Sequence, residues 1–308
     1  MKLSLTSELT VSRALVRGGR FSFVMPWSAL RGRQFAGFRS GRYSLDQQAG
    51  RWAVRSRRSK NEKEPWKTLP AHDGNIERQF VLGLHIGETI LPYRTLEPLL
   101  AVIPWDGRRL LNSSDERLAS FPGLADWWGR AEQAWNTHRS SERLSLTERL
   151  DYQRGLSQQF PLSAYRVVYS ASGMYLAAAI VKEPAIIEHK LYWGAASSVE
   201  EARYLEAVLN SDALTLRVRP LQARGEHNPR DFDKYVWQLP IPMYDAENPR
   251  HARLAELAKQ AEKIAATVVL PPGKRFEALR RLIRQAVEEA NTGREIEEEV
   301  KALLSEGC

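Results

Sequence analysis

The stretch EHKLYW at residues 188–193, together with LPIP at residues 239–242, frames the part of the chain that decides the fold. Between these blocks, apolar residues recur at helical spacing and stop at Asn210. A basic segment interrupted by Pro and Gly follows, beginning at Arg217. The two prolines restrict LPIP to an edge strand or an extended crossover. The order of these elements predicts a globular module that exposes a basic loop. The order is a strand, a helix, a basic loop and a strand framed by prolines.

Three strands are predicted before the basic segment. Residues 165–169 and 175–181 are rich in Tyr, Val and Ala, and the SASG at residues 170–173 suits the turn of a β-hairpin. Residues 185–193 are predicted as a third strand. Residues 199–209 are predicted as a short amphipathic helix, with acidic residues in its first turn that suit the helix dipole.

The basic segment carries the candidate binding residues of this module: Arg217, Arg219, Gln222, Arg224, His227, Arg230 and Lys234. A loop cannot bury its own cations, so these side chains are expected to face solvent or a polyanion. In a reader of double-stranded DNA, an arginine pairs with guanine O6 and N7, and Gln222 or Asn228 pairs with adenine N6 and N7. The alternative is a solvated loop whose cations form ion pairs with its own carboxylates, Glu226, Asp231 and Asp233.

A second basic stretch runs from Tyr43 to Lys67. Its candidate phosphate-binding residues are Arg55, Arg57 and Arg58, and two tryptophans at 52 and 66 lie among the cations. One interpretation is a strand and loop that face nucleic acid, with phosphate contacts from Arg and stacking from Trp. The other is a solvated linker.

Charge and cysteine content limit the class of protein. The 308 residues include 45 Lys plus Arg and 37 Asp plus Glu, a net charge of +8. This excess favours an anionic partner, of which nucleic acid is the commonest. The single cysteine, Cys308, permits no internal disulfide and no Cys-based metal site, and no apolar run predicts a signal peptide or a membrane span. We therefore expect a cytoplasmic protein without a membrane partner.

The remaining elements are predicted from periodicity and breakers. Helices are predicted at residues 5–17 and from Trp27 onward, around a strand at residues 20–26. Two apolar strands are predicted within residues 80–105, and a helical region within 118–156 whose tryptophans 127, 128 and 135 recur at core spacing. Three apolar helical stripes after His251, interrupted at residues 271–273, predict a tail that packs on the module or on a partner.

The arrangement at residues 165–245 resembles the C-terminal target-recognition region of N6-adenine DNA methyltransferases of restriction-modification type. GGRFSFVMPWSAL at residues 18–30 is similar to the last strands of the catalytic domain in that family, and GETILPYRTLEPLLAVIPWDG at residues 87–107 continues the similarity. The resemblance implies an α+β fold in three parts. Residues 1–60 would be the remnant of an α/β methyltransferase domain, residues 61–245 a mixed α/β DNA target-recognition region, and residues 246–308 a helical tail.

The resemblance also implies an activity whose catalytic motifs are missing from this chain. Family members transfer a methyl group from S-adenosylmethionine to the N6 of a flipped adenine, using a Gly-rich loop and an Asn/Asp-Pro-Pro-Tyr/Phe loop. Neither loop precedes Gly18, and Asn228-Pro229-Arg230-Asp231 is better interpreted as a helix start. We therefore assign no catalytic, cofactor-binding or metal-binding residue to this chain. The expected partners are double-stranded DNA and a separately encoded catalytic half that holds the S-adenosylmethionine.

Two other hypotheses stay open at this point. The chain could be a general nucleic-acid-binding or interaction protein with no role in methylation. It could also be a self-sufficient hydrolase that uses His85, His189 or Glu188, although a single histidine in a strand is more often structural.

Overall fold

The computed structural model describes residues 29–30, 50–56, 64–66, 68–140, 142–222 and 232–306. Within these residues helices and small sheets both occur, and the chain runs into consecutive helices toward its C-terminus. The predicted α+β fold class with a helical C-terminal tail is thereby confirmed. Among the same residues, no helix combines the length and the apolar composition needed to cross a bilayer.

The described strands lie between Ala29 and Ala196, and two α-helices separate the strand that ends at Val102 from the strand that begins at Tyr165. The strands are β1 Ala29–Leu30, β2 Arg51–Arg55, β3 Asp73–Glu77, β4 Val81–His85, β5 Ile90–Leu91, β6 Arg94–Thr95, β7 Leu99–Val102, β8 Tyr165–Ser170, β9 Ala178–Val181, β10 Ala185–Ile187 and β11 Leu191–Ala196. The described α-helices are α1 Pro122–His138, α2 Leu146–Leu150, α3 Val199–Asn210, α4 Asp212–Val218, α5 Pro249–Thr267, α6 Phe276–Glu289 and α7 Thr292–Glu306.

The strands form two larger sheets and two small hairpins. One sheet has the order β1-β7-β4-β10, in which β10 runs parallel to β4 and the other pairs are antiparallel. The second sheet has the order β11-β8-β9 and is antiparallel throughout. β2 pairs with β3, and β5 pairs with β6.

The prediction that a helix begins at Trp27 was wrong for Ala29 and Leu30. These two residues form β1, which pairs with Ala101 and Leu100 of β7. Backbone pairing with a distant strand has overridden a local pattern that suits a helix equally well. The predicted helix at residues 5–17 and the strand at residues 20–26 lie outside the described residues.

The prediction of one strand over residues 185–193 also needs correction. The chain forms β10 beside β4, turns at Glu188–Lys190, and continues as β11 beside β8. Two hydrogen bonds hold this turn, from the Glu188 amide to the His85 carbonyl at 2.9 Å and from the Leu191 amide to the Glu188 carbonyl at 3.0 Å. The EHKLYW stretch is therefore the place where the chain leaves one sheet and enters the other.

The described residues form three hydrophobic clusters, of which the smallest contains Ile187 and Leu191 at this crossing point. The other two are larger. One contains Leu124, Trp127 and Trp128 of α1 together with residues of β3, β4 and β7, so the prediction that these tryptophans are core residues is confirmed. The other contains residues of β8, β9 and α3 together with apolar residues from all three tail helices. The tail thus packs on the residues before it, as one of the two sequence hypotheses expected. The predicted domain bounds at residues 60 and 245 stay predictions.

The outer edge of β9 is covered mainly by side chains of α3, and the Tyr93 N–H of the β5–β6 turn also donates to the Ala178 carbonyl at 2.9 Å. The Asn210 amide accepts a hydrogen bond from the Ala178 N–H and donates one to the Ala178 carbonyl, both at 2.9 Å. One turn earlier, Glu206 accepts a hydrogen bond from the Ile180 N–H at 3.2 Å. Because Ala178 and Ile180 are two residues apart on one strand, their outward N–H groups face the same edge. α3 therefore satisfies the polar groups that an uncovered edge would expose.

Replacing Asn210 with Ala should destabilise the protein by roughly 2 kcal/mol, because the buried Ala178 N–H would lose its partner. Urea unfolding followed by circular dichroism measures this change. Asn136 is exposed on α1, and Asn136→Ala is the matched control, expected to change the free energy of unfolding by less than about 0.5 kcal/mol. Equal midpoints for the two variants would contradict the proposed role of Asn210.

Candidate nucleic-acid interface

The connection between β8 and β9, residues 171–177, carries two exposed apolar side chains. Met174 is 54% exposed and Tyr175 is 44% exposed. Gly173 has a φ of +154°, which an L-residue with a side chain rarely adopts, and a Cβ at this position would lie 3.1 Å from the Tyr175 carbonyl oxygen. Gly173 is thus needed for the tight turn that places Tyr175 at the surface.

Two guanidinium groups lie against the Tyr175 ring. The Cζ of Arg284 is 4.6 Å from the ring centroid and the Cζ of Arg219 is 5.8 Å from it, both within the range of a cation–π contact. Arg284 also bonds to Asp212 Oδ1 and to the Leu176 carbonyl, each at 2.8 Å. Arg219 is exposed. Arg284 thus fixes the ring, whereas Arg219 presents its charge to solvent.

The beginning of the basic segment is helical, and its prediction as a loop from Arg217 was wrong there. Ser211 caps α4 by accepting a hydrogen bond from the Leu214 N–H at 3.1 Å, and α4 continues to Val218. A 3-10 turn over Arg219–Leu221 follows. Burial of Leu214 and Val218 against the core explains why the helix extends into the basic segment. Arg217 is half-buried on α4, and Arg219 is the first cation beyond it.

Both described ends of the basic segment are anchored by buried residues. Gln222 is only 5% exposed, and its Nε2 has no hydrogen-bond partner among the described residues. Phe232 is 1% exposed, and its N–H bonds to the Ala171 carbonyl at 2.7 Å. The chain therefore leaves at Gln222 and returns at Phe232, beside the turn that carries Tyr175.

Helices α6 and α7 of the tail extend this surface. A cavity of about 640 Å³ lies between them and the β8–β9 connection, and Tyr175 and Arg284 line it. Three further cations in its lining are exposed and make no ion pair with a described residue: Arg281, Arg294 and Lys301. We call Tyr175, Arg219, Arg281, Arg284, Arg294 and Lys301 the Tyr175 surface.

Three carboxylates line this cavity: Asp212 and Glu297 are bonded to protein groups, and Glu288 is exposed. Glu297 accepts hydrogen bonds from the Asp212 and Ala213 N–H groups at the start of that helix, the latter at 3.0 Å. Burial raises the pKa of Glu297 above its ordinary value, which the two backbone hydrogen bonds partly offset. Asp212 pairs with Arg284. The cations that remain without ion pairs are therefore available to an anionic ligand.

The other sequence-predicted residues lie apart from this surface or outside the described residues. Arg55 is on β2, with a side chain that is 62% exposed and lies 3.4 Å from Asp73 Oδ1. β2 belongs to the core that contains α1, whereas the Tyr175 surface lies over the core that contains the tail. Lys234 falls in a 3-10 turn over Asp233–Gln238, and its side chain lies outside the description. Five further candidates lie outside the described residues: Arg57, Arg58, Arg224, His227 and Arg230.

The contribution of Tyr175 and of the tail was not predicted from the sequence. The signal was present in the RRLIR at residues 280–284, where three arginines fall within about one helical turn of α6. They serve different purposes, because Arg280 is buried and bonds to the carbonyls of Gly87 and Ile90, while Arg281 is exposed. Burial lowers the pKa of Arg280 to about 10. Without the fold, these roles could not be separated.

His85 belongs to a network of buried hydrogen bonds that supports the fold. His85 is fully buried, with Nε2 2.5 Å from Glu183 Oε1 and Nδ1 3.0 Å from Thr89 Oγ1. The hydrogen bond from His85 lowers the pKa of Glu183 to about 2. Glu183, His85 and Thr89 are linked in the order of a catalytic triad of acid, histidine and hydroxyl. However, the Thr89 hydroxyl is buried and already bonds to the N–H and the carbonyl of Ile86. It is therefore committed to the turn and poorly placed to act as a nucleophile.

The Glu188–His189 pair offers no better catalytic geometry. Burial, with the neighbouring charges of Lys190 and Arg149, lowers the pKa of His189 to about 3, so the ring is neutral at physiological pH. Burial raises the pKa of Glu188. His189 Nδ1 lies 3.8 Å from Glu188 Oε1, beyond hydrogen-bonding distance. Among the described residues no cluster of His, Cys, Asp and Glu could hold a metal ion.

No protein-family model matches the chain. No curated protein matches it at the level of sequence. A solved structure of the Type IIL restriction-modification enzyme MmeI in complex with DNA is similar, with a TM-score of 0.50 and 10% sequence identity over 74% of this chain. The match covers 28% of that protein, so the present chain corresponds to less than a third of its length. At this identity the similarity establishes a shared fold.

Replacing Arg284 with Gln should destabilise the protein by about 2 kcal/mol, since a charged donor to Asp212 and to the Leu176 carbonyl is lost. Arg281→Gln, on the exposed side of the same helix, is the control and should change the free energy of unfolding by less than about 0.5 kcal/mol. Urea unfolding compares the two. A destabilised Arg281 variant beside an unaffected Arg284 variant would show that the roles of the two arginines are wrongly assigned.

Proposed function

We propose that this chain is the DNA-binding, target-recognition portion of an S-adenosylmethionine-dependent N6-adenine DNA methyltransferase of a restriction-modification system. In this proposal the Tyr175 surface contacts double-stranded DNA. The observation that carries it is the exposed Tyr175 ring, which has the guanidinium groups of Arg219 and Arg284 within 6 Å of its centroid and lies beside the described ends of the basic segment.

The chemistry of the Tyr175 surface suits a nucleic acid. Guanidinium groups donate paired hydrogen bonds to phosphate or to guanine O6 and N7, and an exposed aromatic ring packs on bases and sugars. Arg281, Arg294 and Lys301 add charges that would each release counterions on contact with phosphate. Because Arg284 is already bonded to protein groups, we assign it the task of orienting Tyr175, and we assign the exposed Arg219 to DNA contact.

The sequence-predicted residues complete the proposed interface. Arg224, His227, Arg230 and Lys234 belong to a segment whose ends lie beside Tyr175, so they are proposed as base-reading or phosphate-binding groups. Arg217 is proposed as a DNA-contacting cation on α4. Gln222 is proposed as a base-reading amide, because its Nε2 has no hydrogen-bond partner among the described residues. Arg55, Arg57 and Arg58 are proposed as a separate phosphate-contacting group.

The similar fold in the DNA complex of MmeI supports the restriction-modification assignment. The sequence resemblance to N6-adenine methyltransferases supplies the finer proposal. Catalysis would require a domain that binds S-adenosylmethionine and carries the Gly-rich and Asn-Pro-Pro-Tyr loops. We propose that such a catalytic half acts together with this chain, and that this chain determines where methylation occurs.

Fluorescence anisotropy with a labelled duplex should show binding that weakens steeply as salt rises, because phosphate contacts release counterions. Arg219→Gln should weaken binding about tenfold and lower the slope of log K against log salt by about 1. The control is Lys263→Gln, which removes an exposed cation of α5 that does not line the cavity beside Tyr175.

The control should bind like the parent protein. If the parent does not bind duplex DNA even in low salt, the proposed function fails. If Arg219→Gln and Lys263→Gln weaken binding equally, DNA binding is a property of net charge, and the Tyr175 surface is not the site.

A general nucleic-acid-binding protein is the second candidate function, favoured by the absence of both catalytic loops. Selection of bound duplexes from a random pool separates the two functions. A target reader enriches one defined sequence, since each correct base contact contributes about 1–3 kcal/mol. A general binder enriches none.

A further inference from the structure

A second groove lies in the other half of the protein, over the core that contains α1. It has a volume of about 1250 Å³ and runs between the loop after Trp105 and the segment from Leu144 to Pro161. None of the residues of the Tyr175 surface lines it. Its size exceeds that of a typical small-molecule site, so it can hold an extended ligand.

Aromatic side chains form part of the wall of this groove. The rings of Trp105 and Phe160 stack with centroids 4.4 Å apart and planes inclined by 10°, and both side chains are half-buried. Tyr152 also lines the groove. Stacked, partly exposed rings offer a flat apolar surface of the kind on which a planar base packs.

The arginines of the groove are more available than its carboxylates. Arg108 and Arg154 are exposed, and their side chains form no ion pair with a described residue. Asp151 accepts hydrogen bonds from the N–H groups of Leu156 and Ser157, at 3.1 and 2.8 Å. Glu148 bonds to the Ser145 N–H at 2.8 Å and to its hydroxyl at 2.9 Å. The carboxylates thus hold the loop, while two guanidinium groups are left for an anion.

The backbone beside Arg154 is held in an unusual conformation. Gln153 and Arg154 have φ values of 54° and 60°, in the left-handed region that residues with side chains seldom occupy. Such a conformation persists only where surrounding contacts impose it, and it is found most often at binding and catalytic sites. Here the Asp151 hydrogen bonds and the turn from the Arg154 N–H to the Asp151 carbonyl, at 2.8 Å, supply those contacts. The result is an exposed cation on the rim of an aromatic groove.

We propose that this groove binds an unpaired nucleotide, with its base on the aromatic wall and its phosphate on Arg108 and Arg154. Two planar rings and two unpaired guanidinium groups match a base and a phosphate, whereas the Tyr175 surface is assigned to duplex DNA. The nucleotide could belong to a single strand or be free in solution. This proposal does not depend on the function proposed above.

Two probes distinguish these sources: a labelled single-stranded oligothymidine, followed by fluorescence anisotropy, and thymidine 5′-monophosphate, followed by calorimetry. The groove variant combines Arg108→Gln and Arg154→Gln. The charge-matched control combines two substitutions of exposed cations elsewhere, Lys263→Gln and Lys274→Gln. Since all four side chains are exposed, the folded state should be retained, as circular dichroism verifies. The groove variant should bind oligothymidine about tenfold more weakly than the parent, and the control should bind like the parent.

Binding of both probes with this pattern supports a site for nucleotides in general, and binding of oligothymidine alone supports a site for a nucleotide within a strand. The proposal is overturned if neither probe binds, or if the groove variant and the control bind equally. Duplex DNA is the third probe and separates the two proposals. We expect Arg219→Gln alone to lose duplex binding and the groove variant alone to lose oligothymidine binding. This result would place the two ligands on different surfaces. Oligothymidine binding that depends on Arg219 alone would also overturn the groove assignment.

Discussion

The hydrogen bonds between α3 and the edge of β9 are the constraint on which the candidate interface depends. Asn210 and Glu206 pair with Ala178 and Ile180 and so take the place of a neighbouring strand. Burial raises the pKa of Glu206 well above its ordinary value, because the charged form loses its solvation in the core. With the edge closed in this way, β9 can end a three-stranded sheet, and the turn before it projects Tyr175 into solvent.

The helical tail is attached to this unit by arginines that donate to backbone carbonyls. Arg94 bonds to the carbonyls of Ala265 and Val268 at the end of α5, both at 2.9 Å. Arg284 reaches from α6 to the Leu176 and Asn210 carbonyls, at 2.8 and 3.3 Å. Carbonyls at helix ends and loops lack intrahelical partners, and cations satisfy them with a favourable dipole interaction. Attachment of the tail therefore creates the cavity beside Tyr175 and supplies most of its cations.

Local patterns sufficed for much of the fold and for little of the candidate site. The first strand of the hairpin, the helix ending at Asn210 and the core tryptophans follow from periodicity, turn residues and caps, because these signals act over a few positions. The second strand was predicted from Tyr175 but begins at Ala178, so residues 175–177 belong to the connection. The break at Glu188–Lys190 could not be predicted, since β10 and β11 are distinguished only by partners about a hundred residues and twenty residues away in sequence. The same holds for Arg280, Arg281 and Arg284, whose spacing is visible but whose burial depends on what packs against α6.

The Tyr175 surface is proposed to lie on duplex DNA. The most direct measurement is photo-crosslinking of the intact chain to a duplex substituted with 5-bromodeoxyuridine, followed by mass spectrometry of the crosslinked peptides. We expect crosslinked peptides that contain Tyr175 and Arg219, and we expect these peptides to disappear when excess unlabelled duplex competes. Efficient crosslinks confined to the β2–β3 hairpin or to α1, with none at Tyr175 or in the basic segment, would contradict this proposal.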